Sequence, residues 1–231
     1  MTASDTPTMM MDKLSEAAWA QLAELSPRAL HIDDIAAAAG VAPSAARAVS
    51  GSITSLILHQ LARLDRQAVL ESLADIEDAG DVPIRDKIME ALMHRFEVYA
   101  PYRAQMTQLE GAARRDPALG LKLLDSLVQA VRMLLRMAGD DLEGFRGEAR
   151  VRGVAGVAMV VARVWRTDDT PDLSLTLKEI DKRLATAEEW GRSLRVLDDG
   201  PGFDDDSGRE GGFGTPADNG PVEDGPGGRY Q

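Results

Sequence analysis

Apolar residues in this chain recur three and four positions apart, and no long stretch alternates apolar with polar. That spacing marks helices with one buried face, whereas a half-buried strand needs a period of two. The expected fold is all-α. Proline, glycine and small polar residues divide the pattern into nine expected helices. The first runs from about Thr8 to Leu25 and ends at Ser26-Pro27, because proline disfavours helix in the residue before it. Two short helices follow, over 32–39 and 43–49. Gly40 stops the one and Pro43 opens the other. Ser52 is placed to cap a long helix over 53–78 by accepting a hydrogen bond from the Ser55 N–H. The spacing predicts further helices over 83–100, 101–115, 117–138 and 142–166, and a last one from Thr170-Pro171 to about Leu197.

Residues 198–231 break this pattern. They hold nine acids against two arginines, with ten glycines and four prolines. Such a segment has too few apolar residues to bury a core, and it is expected to be a disordered acidic tail. The whole chain carries a formal charge of −12, which opposes bulk attraction to nucleic acid or anionic membrane. It has no cysteine, so disulfides and thiolate sites are excluded. The longest apolar run, Gly153 to Ala162, is about half the roughly 20 residues that a bilayer needs. Met1 to Met11 lacks a basic region before an apolar run, so no secretory leader is read and the expected compartment is the cytoplasm.

Leu30 to Ile57 reads LHIDDIAAAAGVAPSAARAVSGSITSLI. Two short helices joined by a tight glycine turn and followed by a long helix have a helix-turn-helix layout. Alanines 36 to 39 allow close packing, Gly40 takes the turn and Val41 plugs the crevice. In helix order and spacing from Leu14 to about Leu58, the chain resembles the TetR family of transcriptional regulators. The core of the likeness is Asp34-Ile35-Ala36, Ala39-Gly40-Val41 and Leu56. The resemblance implies a dimer that binds palindromic operator DNA through Pro43, Ser44, Ala45, Arg47, Ala48 and Ser52. Arg47 and Ile53 stand where the family usually has an aromatic and a lysine, and Ser50 stands near a second aromatic position. Arg47 can supply one of the missing phosphate or base contacts. Residues 1–66 carry five basic against seven acidic residues.

A second likeness lies between Arg85 and Leu194. Trp165, Asp168, Asp169, Asp172, Thr176, Asp181, Arg183 and Leu184 match positions in the ubiquinone-biosynthesis lipid-binding proteins that share the TetR fold. Arg95-Phe96, Pro101-Tyr102-Arg103, Asp116-Pro117 and Ala138-Gly139 match too. The bland reading of the run is capping at Thr170, Pro171 and Asp172, with Asp181 and Arg183 on a solvated face. The amphipathic membrane helix that such lipid-binding proteins carry has no counterpart after Leu197.

Met93, Phe96, Tyr99, Met106, Leu127, Val131, Leu134 and Met137 stand at helical spacing and line a candidate pocket for a small apolar ligand. Plain core packing gives the same spacing. The family resemblance implies a homodimer through the last two helices, with Val154, Val157, Val161, Trp165 and Leu184 near the seam, some of them buried within the subunit instead. Small residues at Ala149, Gly153, Gly156 and Ala158 favour close helix approach there.

No catalytic constellation, phosphate-binding glycine loop or metal-ligand pair is read, and no cofactor or metal is expected. His31, His59 and His94 are too scattered for a metal cluster, and His94 near Glu97 reads as a polar pair. The expected organisation is a helix-turn-helix domain over 1–58, a helical ligand-binding and dimerisation domain over 59–197, and the tail over 198–231. The expected function is a non-enzymatic TetR-like regulator released from its operator by an apolar ligand. The alternative is a lipid-binding accessory protein of ubiquinone metabolism that has lost DNA binding.

Overall fold

The computed structural model describes residues 6–78 and 82–193, and these are helical without a strand. The expected acidic tail lies outside them. The helices are α1 (Pro7–Gln21), α2 (Ile32–Ala39), α3 (Pro43–Val49), α4 (Ile53–Asp78), α5 (Ile84–Tyr99), α6 (Arg103–Ala113), α7 (Pro117–Met137), α8 (Gly144–Trp165) and α9 (Ser174–Ser193). Single turns of 3-10 helix stand at Pro27–Ala29 and Ala100–Tyr102.

Local chemistry sets most of these ends. Thr6 caps α1 by accepting from the Met9 N–H at 3.3 Å. The helix stops at Gln21, short of the expected Leu25, because the next N–H groups turn to carbonyls three residues back: Ala23 to Ala20 and Glu24 to Gln21. Asp116 caps α7 through the Ala118 and Leu119 N–H groups. The last helix opens at Ser174, later than Thr170-Pro171, because Leu173 has φ +50° and cannot continue a right-handed helix backwards.

Helices α1, α2 and α3 pack on one another around Leu14, Leu22, Ile35 and Ala46, all fully buried. Helix α4 supplies Leu56 and Ile57 to that core and then continues past residue 58, the expected domain boundary, to pack on α5 and α7. Helices α8 and α9 lie against each other, with α7 beside α8 and α5 beside α9. Trp19 of α1 meets Tyr102 edge-on, with ring centroids 5.9 Å apart, which ties the first three helices to the turn before α6.

Gly147, in the first turn of α8, lies directly against backbone. A Cβ there would stand 2.2 Å from the Leu142 carbonyl carbon. Backbone cannot swing aside as a side-chain tip can, so Gly147→Ala should cost about 2–3 kcal/mol. Thermal unfolding checks this, and a melting temperature equal to wild type would refute it.

Candidate functional site

Gly40 ends α2 with φ +64°, the left-handed conformation in which glycine carries no Cβ penalty. The Val41 N–H then reaches the Ala36 carbonyl at 2.9 Å, closing the turn, and Val41 is buried between the two short helices. Ala46 faces inward from α3, so Pro43, Ser44, Arg47 and Ala48 face out and Ala45 is half-buried. Ser52 is exposed and caps α4: its Oγ accepts from the Ser55 N–H at 3.0 Å, and the Ser55 Oγ accepts from the Ser52 N–H at 3.1 Å. The six residues expected at DNA therefore lie on one outer surface, around α3 and the turn after it.

Two departures from the family pattern have structural occupations. Ser50 is buried and donates its hydroxyl to the Ser52 carbonyl at 3.1 Å, bracing the turn. Ile53 is half-buried beside a groove of about 390 Å³ that Arg47, His31 and Ser52 also line. The Arg47 guanidinium pairs with Asp33 of α2, and its side chain is 56 % exposed. An ion pair as open as this contributes at most about 1 kcal/mol, so a phosphate can take the guanidinium at little cost.

A cavity of about 350 Å³ lies between α4, α5, α6, α7 and α8. Its apolar wall includes Leu61, Met106, Leu123, Leu127, Ala158 and Trp165. Of the expected pocket residues, only Met106 and Leu127 line it. Met93, Phe96, Tyr99, Val131 and Leu134 are buried in the core instead, and Met137 is partly buried against it. Helical spacing identifies an inward face but does not separate filled core from cavity wall. Helix α8 supplies a wall of its own, and Trp165, expected near the dimer seam, lines this cavity.

One end of the cavity is charged. Asp65 and Arg95 line it, 5 % and 13 % exposed. The Arg95 Nε donates to Asp65 Oδ1 at 2.8 Å, and the Tyr99 hydroxyl donates to the same oxygen at 3.0 Å. The guanidinium also lies over the Tyr99 ring, 4.7 Å from its centroid. Burial, the largest single influence, pulls the Arg95 pKa down, but Asp65 and Tyr99 together, by charge and by hydrogen bonding, outweigh it and leave it above the ordinary value. Burial, with the Asp65 charge beside it, pushes Tyr99 well up. At neutral pH Arg95 is therefore a guanidinium and Tyr99 a neutral phenol. Glu110 and Arg166 form a second pair along the same cavity. Asp65 was not singled out in the sequence, although a carboxylate among the inward residues Leu61, Leu64 and Ala68 is the signal for it.

The Trp165–Leu184 run proves to be a clasp. Trp165 donates its indole N–H to the Phe96 carbonyl at 3.0 Å, and Arg103 lies over its ring while donating to the Asp168 carbonyl at 2.6 Å. The buried Asp168 carboxylate takes the hydroxyl and N–H of both Thr170 and Thr176. Asp181 and Arg183 lie on a solvated face, as expected, where Asp181 pairs with Arg85 of α5 and Arg183 pairs with Glu179. Of the residues expected at the dimer seam, Val154, Val157, Val161, Trp165 and Leu184 are all buried inside the single chain.

No family model matches the chain, and no curated protein matches it. Solved structures do. The TetR transcriptional regulator from Nitrosomonas europaea ATCC 19718 superposes with a TM-score of 0.61 over 78 % of this chain and 98 % of its own, at 18 % identity. The fold is that of TetR-family regulators. A tetR-family transcriptional regulator from Streptomyces coelicolor gives a TM-score of 0.53 over 84 % of this chain and 92 % of its own, also at 18 % identity. The TetR-like fold carries the N-terminal resemblance, while the likeness to ubiquinone-biosynthesis proteins finds no counterpart in these two neighbours. No helix among the described residues is long and apolar enough to cross a membrane.

Proposed function

We propose that this chain is a TetR-like transcriptional regulator that binds operator DNA as a dimer and is released by a small, largely apolar ligand. The observation that carries the reading is the path of α4. Ser52 and Ile53, at its start, border the α3 surface, while Leu61 and Asp65, two to three turns on, line the cavity. Eight residues of helix span about 12 Å, so a ligand that moves Leu61 or Asp65 acts on the helix that seats α3. A ligand releases DNA only if it prefers an arrangement of α4 that the operator does not fit.

The dimer seam would run over the outer face of α8. Gly153 and Gly156 have nothing of their own chain within 4 Å of where a Cβ would stand, so a second helix can approach them closely. A two-fold pair presents two α3 helices about one DNA turn apart, or a multiple of it, and suits a palindromic site. The parts over 1–58 and 59–197 would then divide the work, the first reading DNA and the second binding ligand and partner.

Retention of the chain's own upstream DNA, measured at low and moderate salt, tests the reading. Arg47→Ala should weaken specific retention about tenfold, in the range of one lost guanidinium contact. Asp33→Asn should strengthen it, because it frees Arg47 and removes a negative charge from the surface facing phosphate. Absence of specific retention at low salt would overturn the proposal.

A further inference from the structure

His94 stands among three carboxylates where α5 passes α4. Its Nε2 is 2.8 Å from Asp75 Oδ2 and 3.4 Å from Glu90 Oε1, and its Nδ1 is 3.5 Å from Glu97 Oε2. One ligand atom from each of Asp75, Glu90 and His94 falls within a cluster no wider than 4.8 Å. His94 is 18 % exposed, whereas the three carboxylates are more than half exposed. None of Asp75, Glu90 and His94 lines the cavity beside Asp65 and Arg95.

We propose that Asp75, Glu90 and His94 bind a divalent transition-metal ion, of which Zn²⁺ is the type. Donor atoms about 2.1 Å from a tetrahedral ion stand about 3.4 Å apart; the His94–Glu90 separation matches this, and the 2.8 Å His94–Asp75 contact would have to open by about 0.6 Å to admit the ion. Glu90 and His94 are four residues apart on one face of α5, and Asp75 comes from α4, so the ion bridges two helices. The set is one imidazole and two carboxylates with no thiolate, which suits borderline ions such as Zn²⁺ over Mg²⁺ or Ca²⁺. Three protein ligands leave a fourth position for water.

Glu97 supplies the support that a metal-binding imidazole usually has. With an ion on Nε2, the carboxylate facing Nδ1 would hold the ring proton on that nitrogen and leave the Nε2 lone pair for the metal. Charge points the same way. His94 lies within 3.5 Å of all three carboxylates, which gather three negative charges around a single imidazole. A divalent ion neutralises most of that charge, and protonated His94 only a third. Asp75 stands on another helix, so spacing within α5 does not reveal the cluster.

The test is calorimetric titration of the full chain with Zn²⁺, with bound metal counted after dialysis and melting temperature measured with and without the ion. One equivalent should bind, and it should raise the melting temperature. His94→Ala and the exposed Glu90→Gln should each lose that equivalent and the thermal shift. Glu97→Gln should keep the stoichiometry with affinity reduced about tenfold or more. Wild type taking up no Zn²⁺ would overturn the proposal. So would one equivalent retained in both His94→Ala and Glu90→Gln, since the ion would then sit elsewhere. None of these readouts depends on DNA binding.

Discussion

Asp65→Ala is expected to destabilise the protein by about 3–5 kcal/mol. The carboxylate is nearly inaccessible, and its Oδ1 takes both the Arg95 Nε and the Tyr99 hydroxyl. Removing it strands a guanidinium that is itself almost wholly buried. The Tyr99 hydroxyl keeps only the Leu61 carbonyl, at 3.3 Å. Two helices lose a buried ionic tie, since Asp65 belongs to α4 while Arg95 belongs to α5. The double variant Asp65→Leu with Arg95→Met should recover much of the loss, because it buries no unpaired charge. Chemical denaturation of the three proteins measures this. A single variant within 1 kcal/mol of wild type would refute the account, as would a double variant no better than the single.

The helical pattern of the fold was legible because helix ends here are written locally, in prolines, Gly40, Ser52 and Asp116. The α3 surface was legible for the same reason, since Ala46 faces in and so fixes which neighbours face out. The cavity was not. Met93 and Met106 look alike in sequence, yet one fills core and the other lines a void. What separates them is the distance between α6, α7 and α8, which no spacing within one helix encodes. Asp65–Arg95 and Asp75–His94 were missed for a related reason, because each joins residues from two helices. The Trp165–Leu184 motif was seen, but its occupation was not. Capping by Asp168 acts across eight residues, beyond the range of local cap signals.

That long cap makes a second large prediction. Asp168→Ala should cost about 3 kcal/mol, which for a domain of this size lowers the melting temperature by roughly 10 °C. Burial alone would push the Asp168 carboxyl up. The Thr170 and Thr176 hydroxyls and N–H groups outweigh it and hold the pKa at about 2, below the ordinary 3.8. The ionised form is therefore favoured by the folded state. Its contribution is whole above pH of about 4 and drains away as the pH falls towards 2. Asp168→Asn keeps the size of the side chain but has no carboxylate to titrate, and its amide turns donors towards donors. At neutral pH its melting temperature should lie well below that of wild type, and the gap should narrow steadily between about pH 4 and pH 2. Thermal unfolding across that range checks both points. A gap that stays constant would mean that the clasp holds by packing of Trp165 and Leu173, with the carboxylate a bystander. A gap that closes places α9, and with it the α8–α9 pair, under the control of one buried charge.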